Sequence, residues 1–238
     1  MCWSETASVA MVGLGVAAAA VTDTQRRPIV VPVTLGYFAV MEALQVAGYG
    51  VIDQCASPAN QVVTLLSVLH IVFQPLVINA FGMALVVGGV RPRVQVAVFS
   101  LCAISSAIML LQLYPFDWAG TCRPGDILCG LALCTRAGAW HLAWDVPYNA
   151  LLAPVDAFLG TRLGFPTYML ATFVLPLVYG AWRFALFHLL AGPMLAAQLT
   201  GEANEIPAIW CLFSIGIILI CLSPWLWRRF EFRPSPTG

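Results

Sequence analysis

Three histidines and a few acidic and amide side chains are the groups in this sequence that could do chemistry. His70 and Gln74 lie four residues apart in LHIVFQP, and Glu42 and Gln45 lie three residues apart in MEALQ. His188 follows in FHLLAGP. Residues three or four apart lie on one face of a helix. Each pair therefore presents both of its side chains in one direction.

Three kinds of site are compatible with these residues. Two imidazoles and a carboxylate can bind zinc or another divalent metal, with one position left for water. In that site His70 and His188 are metal ligands, and Glu42 is a ligand or the general base toward the water. The two imidazoles could instead hold a b-type haem, with Arg183 beside a propionate. The third possibility is a structural network, in which Glu42 bonds to His70 and the two glutamines bond to each other.

A second group of polar residues lies in WHLAWD. His141 and Asp145 are four residues apart, as on one helical turn, and Asn149 follows. A carboxylate at that spacing orients a histidine or shares a metal with it. If this segment dips inward, His141 supplies a third metal-binding nitrogen, and Asp145 or the MEALQ glutamate completes a tetrahedral set. The two tryptophans also fit an aromatic belt at the membrane interface, which is the interpretation we favour.

The composition places these residues in a membrane protein. Of the 238 residues 61% are hydrophobic and 9% are charged, and the mean hydropathy is +0.87. Soluble domains carry about 25% charged residues. The eleven basic residues are all arginines and are balanced by eleven acids, so the chain has no basic excess for binding nucleic acid. Without lysine, Schiff-base chemistry on a lysine is excluded.

Seven segments are apolar and long enough to serve as membrane spans, which need about 20 residues. We predict a single all-α domain, a seven-transmembrane helical bundle. The segment 139–160 is amphipathic and contains prolines, so we interpret it as an outer interfacial or re-entrant segment rather than an eighth span. The predicted spans are 6–22, 29–51, 60–89, 94–113, 164–181, 183–200 and 206–227.

The positions of the histidines within these spans predict similar depths. A helix rises by about 1.5 Å per residue, which places Glu42, His70 and His188 roughly 14, 15 and 18 Å below the outer boundary. Ionisable groups at such depth are costly and therefore indicate function. Three of them at one level would be tolerated best if they faced each other.

The arginines predict the orientation of the bundle. With the N-terminus outside and the C-terminus inside, eight of the eleven arginines fall in inner segments, as expected for an inner (cytoplasmic) membrane protein. The outer arginines are Arg123, Arg136 and Arg162.

The cysteines divide by environment. Four of them lie in outer segments, where an oxidising compartment permits one or two disulfides that pin the cap, in any of three pairings. Three others lie within spans and are expected to be small buried hydrophobic residues. The outer cysteines are Cys55, Cys122, Cys129 and Cys134, and the inner ones are Cys102, Cys211 and Cys221.

Several motifs resemble an uncharacterised family of multi-pass membrane proteins. They are MCWS, LHIVFQP, WHLAW, GPMLAAQLT and NEIPAIWC, and they extend over almost the whole chain. The resemblance implies a shared fold. A looser likeness is to ceramidase and adiponectin-receptor-like membrane hydrolases, which are seven-helix proteins that hold zinc with histidines. Those proteins carry an H-x-x-x-H pair late in the chain, whereas here His188 is followed by Gly192 at the place of the second histidine.

The leading hypothesis is a membrane protein with a metal-dependent site that hydrolyses a lipid or another membrane-soluble substrate. Its supporting polar residues are Gln45, Gln74, Asn149 and Arg183. The alternatives are a non-catalytic accessory subunit and a haem-binding redox protein. The lipid bilayer is the expected partner, together with a membrane-soluble ligand, and the sequence leaves open a homo-oligomer or a larger membrane complex.

Overall fold

The structure, a computed structural model, describes residues 5–212 and 215–233. The MCWS motif therefore lies outside the described residues. Four long helices come first, and the first residues of two of them are prolines, whose fixed φ suits the first turn. They occupy the first four predicted spans, although the third helix ends five residues earlier than predicted. These helices are α1 (Glu5–Thr24), α2 (Val30–Gly50), α3 (Pro58–Ala84) and α4 (Pro92–Gln112).

A cap follows α4 and contains a short β-hairpin. Strands β1 (Cys134–Ala137) and β2 (Leu142–Asp145) pair antiparallel, with Cys134 opposite Asp145. The helix α5 (Ala153–Leu159) comes next. The prediction of one helical turn carrying His141 and Asp145 is therefore wrong. The four-residue connection that begins at Gly138 joins two strands, and a short loop containing glycine is typical of a hairpin.

Two disulfides hold the cap together, which confirms the predicted disulfides and gives their pairing. The long disulfide, Cys55–Cys134, joins the segment between α2 and α3 to β1. The short disulfide, Cys122–Cys129, closes a loop within the cap. The cysteines predicted to lie inside spans, Cys102, Cys211 and Cys221, are free and buried.

The second half of the chain consists of interrupted helices. Helix α6 (Pro166–Val178) contains a π-helical turn at Leu170–Val174, and helix α7 (182–199) contains another at Leu190–Met194. Within α7 the backbone of Gly192 is not helical, with φ −97° and ψ −108°, directly before Pro193. The chain ends with α8 (Ile206–Leu212), α9 (Ile215–Leu222) and α10 (Pro224–Phe230).

Within the described residues, five helices are long and apolar enough to cross a membrane. They are α1 to α4 and the run Ala203–Leu222, which includes α8 and α9. The fifth predicted span corresponds to α6, which is apolar but shorter than a crossing helix. The sixth corresponds to α7, which is interrupted at Gly192. The described part of the chain is thus mostly helical, and five of its helices are of membrane-spanning length.

Buried polar side chains tie the two halves of the bundle together. The Asn79 amide of α3 donates to the carbonyl of Ala171 in α6 at 2.8 Å and also to the carbonyl of Pro75. The Tyr179 hydroxyl donates to the Asn79 side-chain oxygen at 3.0 Å. Polar side chains inside a bundle are tolerated when they bond across helices in this way. Asn79 therefore fixes how α6 packs on α3.

Candidate functional site

His70 forms a reciprocal connection between α2 and α3. Its Nε2 atom donates to the backbone carbonyl of Tyr37 at 2.9 Å, and the Tyr37 hydroxyl donates to the carbonyl of His70. The two rings meet edge to face with centroids 3.6 Å apart. The Nδ1 atom of His70 is buried and has no hydrogen-bond partner in the described part of the chain. His70 thus faces α2 and contributes to helix packing.

His188 faces α8 instead. The Trp210 indole donates from Nε1 to the His188 Nε2 atom at 3.1 Å. The imidazole ring also stacks on Phe184, with centroids 5.6 Å apart and an interplanar angle of 14°. An indole N–H is a donor only, so Nε2 of His188 must be the acceptor. In a neutral imidazole the proton then lies on Nδ1, which is buried and unpartnered among the described residues.

Gly192 is what permits this contact between α7 and α8. A Cβ atom at position 192 would lie 2.3 Å from Nε1 of Trp210, far closer than atoms approach each other. The interruption of α7 at this residue therefore lets the indole lie against the helix backbone. The glycine stands where the hydrolase pattern would require a second histidine.

Glu42 lies on α2, is 1% exposed, and neither of its carboxylate oxygens has a hydrogen-bond partner within the described residues. Gln45, one turn further along, contacts the cap: its side-chain oxygen accepts from Nε2 of His141. The pairing of Glu42 with His70 expected for a structural network is not among the contacts of His70, which bonds to Tyr37.

His141 is the centre of a polar cluster between the cap and the bundle, here called the outer polar cluster: Gln45, Tyr49, His141, Thr200 and Glu205. The Tyr49 hydroxyl bonds to Nδ1 of His141 at 2.6 Å, while Nε2 contacts Gln45. His141 is fully buried, and burial lowers its pKa from 6.5 to about 4. Its imidazole is therefore neutral at pH 7, with both ring nitrogens occupied.

Glu205 closes the other side of the outer polar cluster. One of its carboxylate oxygens accepts from the backbone N–H groups of Trp140 and His141, and the other accepts from the Thr200 hydroxyl. A Cβ atom at Gly138 would lie 2.6 Å from that carboxylate, so the hairpin loop can reach it only with glycine there. Glu205 acts as an anchor for the loop of the cap hairpin.

Asp145 lies at the edge of the cap in a set of ion pairs. Its carboxylate bonds to Nε of Arg136 at 2.9 Å and to the Asn204 amide at 2.6 Å. Arg136 also pairs with Glu202. Because these contacts join β1 and β2 to the segment before α8, Asp145 holds the cap in place. It does not bond to His141 as the helical prediction required.

Two further predicted residues have structural roles. Asn149 donates to the carbonyls of Leu111 and Tyr114 at 2.8 and 2.7 Å, where it satisfies the end of α4. Arg183 donates to the carbonyl of Arg229 at 3.0 Å and is exposed. Neither residue reaches the histidines of the bundle.

The geometry does not support the predicted metal site. Among residues 5–212 and 215–233, no group of three or more His, Cys, Asp or Glu side chains is placed to hold a metal ion. The three histidines have separate partners: Tyr37 for His70, Trp210 for His188, and Gln45 with Tyr49 for His141.

A cavity of about 260 Å³, here called the bundle cavity, lies beneath the cap. Its walls come from α3, α4, α6, α7, α8 and the cap, and they are almost entirely apolar. Gln74, Tyr168, Trp210 and Cys211 supply its few polar groups. The Tyr168 hydroxyl donates to the Gln74 side-chain oxygen at 2.8 Å.

A much smaller space, about 10 Å³, lies next to the bundle cavity and is called here the histidine chamber. Gln74 and Trp210 line both spaces, and His188 and Gly192 line the chamber alone. A volume of this size is about what one water molecule needs. The polar end of the bundle cavity is therefore adjacent to the chamber that His188 lines.

Sequence reasoning missed the aromatic partners of the histidines. Tyr37, Tyr49, Tyr168 and Trp210 carry hydrogen-bonding groups within apolar segments, and each bonds to a histidine or a glutamine. The sequence argument rests on ionisable and amide side chains as the polar groups within the spans. Including tyrosine hydroxyls and indole N–H groups, which also need partners when buried, would have pointed to them.

Comparisons with known proteins give one match. No curated protein and no solved structure matches the chain, and nothing found supports the looser likeness to ceramidase and adiponectin-receptor-like hydrolases. A family model described as a family of unknown function, DUF5765, matches residues 6–231, which is nearly the whole chain. This agrees with the predicted resemblance to an uncharacterised family, and the chain belongs to the DUF5765 family.

Proposed function

We propose that this protein binds an apolar, membrane-soluble ligand in the bundle cavity. The observation that carries the proposal is the cavity itself, about 260 Å³ with apolar walls and a few polar groups at one end. Small-molecule sites combine these features, an apolar concave surface with a small number of polar groups that fix orientation. None of the side chains lining the bundle cavity in the described chain is charged.

The exposure of two lining residues supports entry from the bilayer. Met194 and Ala197 of α7 line the bundle cavity and are also exposed on the outside of the bundle, Met194 to 50%. An exposed face of an apolar bundle meets lipid. A ligand dissolved in the membrane would therefore reach the cavity past α7 without passing through water.

The proposal includes an orientation and a location. We place the N-terminus and the cap outside, the C-terminus inside, and count seven crossings with α6 and α7 as the short and interrupted ones, in an inner membrane. The distribution of arginines supports this orientation. Both disulfides lie on the cap side, and disulfides persist in oxidising compartments.

Metal-dependent hydrolysis and haem binding are not part of the proposal. Either function would need His70 and His188 to share a centre, and each imidazole is engaged with an aromatic residue of a different helix. His70 fits the accessory, structural role that the sequence left open, because it and Tyr37 bond reciprocally.

Photolabelling tests the proposal. An alkyl diazirine dissolved in lipid nanodiscs gives a carbene on illumination, and the carbene inserts into the residues that the alkyl chain touches. We expect labels on Met109 and Cys211, which line the bundle cavity but are 1% and 5% exposed. Buried Cys102 and Cys221, which do not line it, should stay unlabelled.

A matched pair of variants controls for lipid-facing labels. Ala197→Phe narrows the entrance to the bundle cavity, whereas Ala103→Phe adds the same ring to an exposed position on α4 away from it. Labelling of Met109 and Cys211 should fall in the first variant and persist in the second. Absence of label on both residues in the unaltered protein would disprove the proposal.

A further inference from the structure

The polar end of the bundle cavity has two hydrogen-bond donors that a ligand could use. The Tyr168 hydroxyl donates a hydrogen bond to the side-chain oxygen of Gln74. The amide nitrogen of Gln74, which can only donate, is then available to a ligand. The Trp210 indole N–H donates a hydrogen bond to Nε2 of His188. The remaining nitrogen of neutral His188, Nδ1, then carries a hydrogen and has no partner among the described residues.

His188 belongs to the buried polar end of the bundle cavity and is not a surface residue. Its side chain is 5% exposed, stacks on Phe184 and lines the histidine chamber. A buried donor without a partner costs about 1–3 kcal/mol relative to one that is satisfied. A ligand atom or one water held in the chamber would remove that cost. The position of the chamber beside Gln74 therefore indicates where a ligand's polar atom would lie.

The chemistry of these donors restricts the ligand. A hydroxyl group would bring a hydrogen of its own, which would have to share the Gln74 oxygen with Tyr168, so it suits these donors less well than a group that only accepts. A carboxylate would be buried without a cation, because no arginine lines either space and the chain has no lysine. An uncharged carbonyl oxygen accepts two hydrogen bonds and brings neither problem.

We infer that the ligand of the bundle cavity is an uncharged lipid that ends in a carbonyl group. Its apolar body fills the cavity, and its carbonyl oxygen accepts from the Gln74 amide and, directly or through one water in the histidine chamber, from Nδ1 of His188. This inference rests on the proposed function. A quinone and an acyl ester share the required chemistry.

Competition against the diazirine label separates the possibilities. Decane, 1-decanol, methyl decanoate and a decyl-substituted benzoquinone carry similar apolar chains and differ in their polar ends. We expect the ester or the quinone to displace the label from Met109 with at least tenfold higher affinity than decane, which is the scale of one buried hydrogen bond. The more potent of the two carbonyl compounds identifies the source of the ligand.

Two substitutions at His188 form a matched pair. His188→Phe keeps an aromatic ring but has no donor, and should reduce the affinity for the carbonyl compounds about tenfold while leaving that for decane unchanged. His188→Asn places an amide near the position of Nδ1 and should restore the affinity. Both variants remove the acceptor of Trp210 equally. If His188→Phe does not fold, Gln74→Leu tests the other donor with the same expected loss.

The outcomes distinguish this inference from the proposed function. Equal affinities for decane and the carbonyl compounds would overturn the inference and leave an apolar site in place. Equal or tighter binding of 1-decanol would also overturn it, because the site would then accommodate a hydroxyl hydrogen as well as it accommodates a carbonyl. Failure of all four compounds to displace the label would overturn the proposed function itself.

Discussion

His141 makes the stability of the cap depend on pH, and the size of the effect follows from its burial. Burial lowers the pKa of His141 from 6.5 to about 4. In the unfolded chain the imidazole takes up a proton below its ordinary pKa, whereas in the fold it stays neutral until the pH is much lower. The contribution of neutral His141 to the free energy of unfolding is therefore complete above pH 6.5 and is lost progressively as the pH falls toward about 4.

The magnitude can be calculated from these two pKa values. Between about pH 7 and about pH 5, preferential protonation of the unfolded chain lowers the free energy of unfolding by about 2 kcal/mol. We expect His141→Gln to abolish this contribution, because an amide does not titrate and can still donate to Gln45. The measurement is the free energy of unfolding from denaturant titrations in identical micelles at both pH values, for both proteins.

The comparison isolates His141, since other titrating groups are common to the two proteins and cancel in the difference. Tyr49→Phe serves as the control, because it removes the hydroxyl that bonds to Nδ1 and leaves the imidazole in place. That variant should be less stable at both pH values and should keep the pH dependence of the unaltered protein. If the free energy of unfolding falls by the same amount between the two pH values in the unaltered protein and in His141→Gln, the assignment of the pH dependence to His141 is refuted.

Three further predictions concern the elements around the two sites. Glu205→Gln should lower the free energy of unfolding by about 3 kcal/mol in denaturant titrations, because the loop N–H groups and the Thr200 hydroxyl lose their charged acceptor; a loss below about 1 kcal/mol would contradict the anchoring role. Replacing both cysteines of the long disulfide by serine should lower the free energy of unfolding by about 4 kcal/mol, against about 2 kcal/mol for the short one. The sequence separations are 79 and 7, and a disulfide that closes a longer loop restricts the unfolded chain more. Equal shifts of the denaturation midpoint would contradict this dependence on loop length. Gly192→Ala should displace the Trp210 indole and lower the melting temperature, and an unchanged tryptophan emission spectrum would contradict the close approach.

The helices that are long and apolar enough to span a membrane could be predicted, because this property depends on length and hydropathy alone. The first four predicted spans correspond to α1 to α4, whose apolar residues continue for 20 residues or more. The interruptions of the later helices depend on a contact instead. Gly192 leaves the helical conformation where Trp210 packs against it, and no local pattern indicates that an indole from another helix will lie there.

The burial of the candidate site residues could be predicted, but the direction in which each side chain faces could not. The helical rise gives the level of a residue within the membrane, whereas the neighbour that it faces depends on how each helix is rotated about its axis. His70 and His188 are both buried, as expected, yet one faces α2 and the other faces α8. The hairpin was missed for a related reason, because a four-residue spacing places two side chains on the same side of a helix and also of a strand.

The cap and the bundle cavity are mechanically connected through α8. Glu205 anchors the hairpin loop and directly precedes Ile206 and Pro207, which line the bundle cavity, and Trp210 follows one turn later. A displacement of the anchor would therefore move the first turn of α8 and with it the indole that holds His188. Since the long disulfide and the ion pairs of Asp145 fix the same hairpin, the cap determines the position of the wall that carries the polar end of the cavity. For the proposed ligand site, we therefore expect the outer polar cluster to act through the placement of α8 rather than through contact with the ligand.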